Sequence, residues 1–336
     1  MGLPFPLEGR RIWVTGGGGF LGTRVVETLK QLGAEPLVTR STDVDLLDPG
    51  AAERYLREAR PEGVMHLAGK VGGIGANQRQ PGTFFYANMA MGLHLLEACR
   101  RVGTEKVLVV GTVCSYPKHS PVPFREEDLW NGFPEETNAP YGIAKKALLT
   151  QLEGYRQEHG LRGIFLIPGN LYGPGDHLDL ATNHVIPALI RRFLTATEEG
   201  HDHVELWGTG TASREFLYVE DAARGLCQAM ARYEGSDPVN LGTGREITIR
   251  ELAHLIRSLT GFPGEIRFDA SKPDGQPRRC LDVSRAEAGF GWKAEVHWKE
   301  GIRRTIEWYR DNEWWWAPIR SGEYQEYYER QYGRKL

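Results

Sequence analysis

Four residues of this 336-residue chain have the types and spacing that carbonyl and proton chemistry requires: Thr112, Cys114, Tyr141 and Lys145. Thr112 and Cys114 lie in Gly111-Thr112-Val113-Cys114-Ser115-Tyr116-Pro117-Lys118, directly after the apolar run 107–110. Such a run reads as a buried strand of a parallel sheet. The hydroxyl and the thiol then fall just past the strand's carboxyl end, where open α/β sheets bind their ligands. A cysteine there serves proton transfer or nucleophilic attack, and the competing reading is a small packed thiol. Tyr141 and Lys145 are four apart at the start of a helical segment and so share one face. The ammonium is expected to lower the phenol's pKa while the phenol exchanges a proton with a carbonyl oxygen.

A sheet edge and a helix must hold these groups, and the chain supplies both. A short apolar strand at 12–15 runs at once into Gly16-Gly17-Gly18-Gly19-Phe20-Leu21-Gly22 and an amphipathic helix through Val25, Val26, Leu29 and Leu32. Glycines 16, 19 and 22 let the turn tighten, let backbone N–H groups approach a pyrophosphate, and let the helix pack on the sheet. This strand, turn and helix favour dinucleotide binding over a merely structural turn, with Phe20 and Leu21 part of the same contact. Lys145 is then placed to hold a nicotinamide ribose.

The second strand, 35–39, ends at Arg40-Ser41-Thr42, where an NAD site usually carries an acidic residue on the ribose. Arg40 suits a 2′-phosphate instead, favouring NADP(H) over NAD(H). Asp43 is close by, and the alternative for Arg40 is a solvated loop charge. Asp48 is assigned to the cofactor site and also reads as the N-cap of a helix near 51–59. A third strand, 63–67, leads into Ala68-Gly69-Lys70-Val71-Gly72-Gly73-Ile74-Gly75, small enough for close ligand approach or simply a flexible loop. The helix from about 84 to 101 carries Asn88, His94 and Cys99, of which the last two are assigned to packing.

With these residues in place the chain resembles the extended short-chain dehydrogenases/reductases that act on nucleotide sugars. The resemblance rests on the 16–22 turn, Thr112, Tyr141 with Lys145, Pro168-Gly169-Asn170-Leu171-Tyr172-Gly173-Pro174, and Arg214-Glu215-Phe216-Leu217-Tyr218-Val219-Glu220-Asp221. Three further segments are similar to the GDP-L-fucose synthase family of 3,5-epimerase/4-reductases. They are 70–74, Cys114 with Tyr116-Pro117-Lys118, and 183–193; the run 268–275 with Pro277-Arg278 agrees.

The resemblance implies that Cys114 and His184 exchange protons at carbons 3 and 5 of a 4-keto sugar. Thr112 and Tyr141 would bind the carbonyl oxygen, and Lys145 and His184 would contact the cofactor. Thiol and imidazole, with ordinary pKa values of about 8.5 and 6.5, both trade protons near neutrality. Without the resemblance, His184 would be a helix-terminal residue contacting nothing. Arg192, Arg214 and Arg278 are candidates for the substrate diphosphate, or else surface ion pairs. Lys272 joins them from the 268–275 run, and Trp207 packs either near the sugar and base or in the core. One departure is Thr112 where the family usually has Ser, which stiffens χ1 and narrows the pocket.

The expected fold is α/β: a Rossmann-type doubly wound parallel sheet over residues 1–167, with return segments near 214–242. A smaller α/β substrate lobe covers mainly 168–312, and an aromatic tail follows at 313–336, read as packing, a clamp or an oligomer contact. The resemblance also implies a homodimer joined by helices, including the one with Tyr141 and Lys145. Composition is 40% hydrophobic and 25% charged with net charge −3. That balance gives no electrostatic reason to bind nucleic acid or an anionic membrane. The four cysteines match neither a zinc spacing nor a disulfide framework, no targeting segment or bilayer-spanning run is present, and the cytoplasm is the expected setting.

Three rivals remain at this level. A 4,6-dehydratase of this superfamily would carry Asp-Glu after the Thr, where Val113 and Cys114 stand. An NAD-dependent nucleotide-sugar 4-epimerase needs little beyond Thr112, Tyr141 and Lys145. A non-catalytic nucleotide-binding protein would have no need of them.

Overall fold

The computed structural model describes residues 2–72, 74–176, 185–272 and 277–315. Five strands of the main sheet are β1 (Arg11–Thr15), β2 (Glu35–Thr39), β3 (Gly63–His66), β4 (Lys106–Val110) and β5 (Arg162–Pro168). A sixth, Val239–Leu241, pairs in parallel with β5, and the order is Val239–Leu241, β5, β4, β3, β1, β2. Every pairing is parallel. The strands are short and rich in Val, Ile and Leu because both faces are covered: Ile12, Trp13, Val14, Val64, Met65, Val107, Leu108 and Val109 are fully buried.

The covering helices are α1 (Phe20–Gln31), α2 (Ala51–Ala59), α3 (Ile74–Arg79), α4 (Pro81–Val102) and α5 (Ala139–His159). The expected loop after β3 is thus partly helical, and α4 starts three residues earlier than the apolar pattern suggests because Pro81 fits the first helical turn. The chain goes from β1 to β2 on one side and then crosses to β3 on the other side of β1, so the winding order of the strands reverses between β1 and β3. The crevice outside their carboxyl ends is the place where this architecture takes a ligand. Thr15 of β1 lies in register with His66 of β3, and His66 with Val109 of β4, so all three exits open on one edge.

The chain divides into two compact units. The first holds Met1–Leu171, Glu215–Glu246 and Arg279–Glu295. Residues 279–295 therefore differ from the sequence reading, which put them in the smaller lobe. Their anchor is Trp292, buried against α7 (Val219–Arg232), where Nε1 donates to the Asp221 carbonyl at 3.2 Å. A Cβ on Gly225 of α7 would meet that indole at 2.8 Å, so only glycine lets the ring in.

The second unit holds Tyr172–Arg214, Ile247–Arg278 and the residues from Val296 onward. Its helices are α6 (Val185–Glu198), α8 (Ile249–Thr260) and α10 (Trp298–Asp311), while α9 (Ser284–Phe290) belongs to the first unit. A parallel pair, His203–Trp207 with Glu265–Asp269, and an antiparallel pair, Ser213–Arg214 with Ile247–Thr248, complete it. Thr248 and Glu251 cap α8 reciprocally, satisfying two N-terminal donors. Of the aromatic tail only residues 313–315 are described; Trp315 Nε1 donates to the Asp176 carbonyl at 3.2 Å, and its ring stands edge-on to Trp308.

Candidate active site

The glycine turn shows why its residues have no side chains. Gly16 has φ +72°, and a Cβ there would lie 2.8 Å from the Ala68 nitrogen, so the turn after β1 touches the chain leaving β3. At Gly22 a Cβ would sit 2.0 Å from the Gly16 carbonyl oxygen, which no adjustment of a side chain relieves. A Cβ on Gly18 would meet nothing within 4 Å, so this side of the turn is open. Gly19 is the N-cap of α1, no side chain caps that helix, and its first turn, which includes Phe20 and Leu21, has no acid. Uncapped N–H groups at a helix N-terminus beside an open glycine turn fit the pyrophosphate of a dinucleotide. Gly22→Ala is therefore expected to weaken NADPH binding at least about 100-fold, because helix and turn must part. Fluorescence titration checks it, and wild-type affinity would contradict the packing argument.

At the end of β2 the Asp43 carboxylate turns back to accept from the Arg40 amide at 2.9 Å. The exposed Arg40 guanidinium has no ion-pair partner among the described residues, and it is the charge left facing outward at this exit. Asp48 is placed differently from the expectation. The N-cap of α2 is Gly50, and Asp48 instead accepts from the Gly50 amide at 2.9 Å and pairs with Arg54 at 2.5 Å. Its local loop thus occupies both carboxylate oxygens, and those contacts hold its pKa below the ordinary value.

The carbonyl-chemistry group forms where β4 meets α5. Beyond β4, buried Thr112 caps the 3-10 turn Val113–Ser115, its Oγ1 accepting from the Cys114 amide at 3.2 Å. Ser115 Oγ donates to the Gly142 carbonyl at 2.9 Å, and a Cβ on Gly142 would lie 2.3 Å from the Cys114 carbonyl oxygen. The first turn of α5 is thereby pressed onto the turn after β4, bringing Tyr141 beside Thr112 and half-buried Cys114. The Tyr141 pKa shows the result. Burial raises it well above 10, nearby Cys114 pushes the same way, and a hydrogen bond with Thr112 opposes them. This corrects the sequence expectation: the phenol's pKa is raised and not lowered, because burial and Cys114 push it up and only the Thr112 hydrogen bond pulls it down.

Lys145 is buried and pushed down to about 8, so its ammonium still predominates at neutral pH. Its Nζ lies 3.5 Å from the Ala68 carbonyl oxygen, which ties it to the β3 exit. Two residues support that exit: His66, which sequence reasoning did not single out, and Asn88, to which it gave no site role. His66 is fully buried, shares a 2.8 Å hydrogen bond with Thr15 Oγ1, and is kept neutral by burial and by Lys145. Asn88, buried on α4, takes the Lys70 amide on Oδ1 at 3.1 Å and gives Nδ2 to the Lys70 carbonyl at 2.9 Å. An asparagine inside the apolar run 87–92 was the available signal, since buried amides seek partners.

His184 lies outside the described residues. The remaining candidates belong to the second unit. Arg192 Nη1 donates to the Glu205 carbonyl at 3.2 Å. Trp207 is 66% exposed, which rules out the core alternative, and Lys272 Nζ stands 5.9 Å from its ring. Arg214 and Arg278 sit on neighbouring segments, because the Ser213 amide donates to the Pro277 carbonyl at 2.9 Å.

A sequence profile described as the NAD dependent epimerase/dehydratase family matches residues 12–242. A GDP-L-fucose synthase of Sinorhizobium fredii is 39% identical over 301 residues, covering 90% of this chain and 96% of the relative. The chain belongs to the GDP-L-fucose synthase family. A GDP-L-colitose synthase of Yersinia pseudotuberculosis is 34% identical over 89% of this chain and 97% of its own, so the GDP-L-fucose synthase family borders on enzymes named for other GDP-sugars. A GDP-L-fucose synthetase of Naegleria fowleri, solved with NADP bound, superposes with a TM-score of 0.82 at 28% identity. The match covers 93% of this chain and 97% of that one.

Proposed function

We propose that the chain is an NADPH-dependent epimerase-reductase converting GDP-4-keto-6-deoxy-D-mannose, or a closely related GDP-4-keto sugar, to GDP-L-fucose or its counterpart. The observation that carries this reading is the cluster of Thr112, Cys114 and Tyr141 where β4 meets α5. A plain reductase or 4-epimerase has use for the hydroxyl and the phenol, but not for a half-buried thiol beside them.

In this reading the Gly16–Gly22 turn would hold the NADP(H) pyrophosphate, Arg40 its 2′-phosphate, and Lys145 its nicotinamide ribose. Held by these residues, NADPH would supply the hydride for carbon 4. Tyr141, kept protonated by its raised pKa, and Thr112 donate to the 4-keto oxygen, first stabilising the enolate of each epimerisation and then protonating the alkoxide. Cys114 and His184 serve opposite faces of the sugar, one removing and the other returning a proton at carbons 3 and 5. Arg192, Arg214 and Arg278 bind the diphosphate, with Trp207 and Lys272 at the sugar or base. Conversion of the keto sugar to GDP-L-fucose with NADPH consumption tests the assignment.

The cysteines are free thiols and no described helix is long and apolar enough to cross a membrane. Chemistry that depends on a reduced Cys114 suits the cytoplasm. We also propose a two-fold homodimer through α4 and α5. Phe85, Tyr86 and Leu93 are exposed on α4, and Phe85, Phe133, Pro140 and Ile143 line an apolar depression between the two helices. Sedimentation should give twice the chain mass, reduced to the monomer by Tyr86→Asp with Leu93→Asp. A wild-type monomer would refute the dimer.

A further inference from the structure

The chain passes between the two units at 171/172, 214/215, 246/247, 278/279 and 295/296. Four of these five passages lie within a few residues of Glu215 itself or of a residue hydrogen-bonded to it, and Glu215 is 2% exposed. Its Oε1 accepts from the amides of Thr243 and Gly244 and from Thr243 Oγ1, and its Oε2 accepts from the Leu281 amide at 2.8 Å. The backbone of Glu215 is held as well: its carbonyl accepts from Asn170 Nδ2 at 3.0 Å, and its amide donates to the Arg279 carbonyl at 3.1 Å. Segments 243–244 and 281 are therefore joined to residue 215 through its buried carboxylate, and residues 170 and 279 through its backbone. No cation among the described residues pairs with it. All four of its side-chain partners are donors, which suits the acceptor-only carboxylate, and these contacts oppose the upward push of burial on its pKa. Gly242 is shaped to the same group, since a Cβ there would lie 2.4 Å from Oε1.

Arg214 immediately precedes this knot and Arg278 immediately precedes Arg279, which takes part in it. We infer that Glu215 is a positioning residue for nucleotide-sugar binding: it fixes the backbone from which Arg214 and Arg278 reach the diphosphate. The inference rests on the reading of those two arginines as diphosphate ligands. A purely structural carboxylate would contribute only to the folded fraction. A positioning one sets affinity for the diphosphate and leaves the cofactor turn, far away in sequence, untouched.

Glu215→Gln keeps the shape but offers one acceptor where two are used, leaving either the Leu281 amide or the Thr243–Gly244 pair facing an NH2. Gly242→Ala pushes the carboxylate aside without removing it and carries the test should Glu215→Gln not fold. Binding of GDP alone is measured by calorimetry, NADPH binding by fluorescence, and steady-state kinetics on the keto sugar. In both variants the GDP Kd and the sugar KM should rise at least about tenfold, with kcat within about threefold and NADPH affinity within about twofold of wild type. Unchanged GDP affinity in the folded variants would overturn the role, and so would parallel loss of GDP and NADPH binding. Arg214→Ala and Arg278→Ala separate the two claims. If they weaken GDP binding and Glu215→Gln does not, only the positioning role fails; if neither weakens it, the arginine reading fails, and the role of Glu215 with it.

Discussion

Tyr141→Phe is expected to lower kcat for 4-keto reduction by about 100- to 10,000-fold, the range that one positioned proton donor supplies. The phenol's hydroxyl is the only atom removed, so packing of α5 on the turn after β4 through Ser115 and Gly142 should survive. NADPH affinity should stay within about twofold, because Lys145 and the 16–22 turn are unchanged. The raised pKa of Tyr141 makes the direction clear: the group is protonated throughout the working range and acts as an acid toward the carbonyl oxygen. Loss of the titrating group therefore should not shift the neutral-pH region of the rate profile, only its height. Stopped-flow oxidation of NADPH reads the effect, and a kcat within about tenfold of wild type would mean that Thr112 or water provides the proton.

Cys114→Ser is expected to suppress solvent deuterium uptake at carbons 3 and 5 at least about 100-fold while 4-reduction persists. Serine keeps the size and the amide contact to Thr112, but an alkoxide is not accessible near neutrality as a thiolate is, so proton exchange is lost selectively. The variant should then convert keto sugar slowly to a 4-hydroxy product that retains the substrate's configuration at both carbons. NMR of product formed in deuterated water distinguishes this from wild-type exchange, which would leave Cys114 a packed thiol.

Much of this site is local in sequence, and that part is legible. A fully apolar run such as 107–110 reads as a buried parallel strand, and the hydroxyl and thiol that follow it then fall at the ligand edge. The glycines at 16 and 22 are readable for the same reason, since turn and helix are contiguous. What was not legible depends on distant partners. Trp292 finds Gly225 across 67 residues, which draws 279–295 into the first unit, and no local periodicity announces it. Asp48 is not the N-cap expected of it, because its carboxylate is taken by Arg54 and the Gly50 amide and Gly50 stands at the cap. The Tyr141 pKa was misjudged because helical spacing reveals the Lys145 neighbour and not the burial that raises the phenol's pKa. Trp207 was readable after all: in 203–207 the alternation puts Val204 and Leu206 inside and Glu205 with Trp207 outside.

The most direct test of the account incubates the wild-type chain with GDP-4-keto-6-deoxy-D-mannose and NADPH in deuterated water, with NMR of the nucleotide-sugar product. The predicted result is GDP-L-fucose bearing solvent deuterium at carbons 3 and 5, with one NADPH oxidised per product. Oxidation of NADPH with neither carbon exchanged, or no turnover by a chain that binds NADPH, would contradict it.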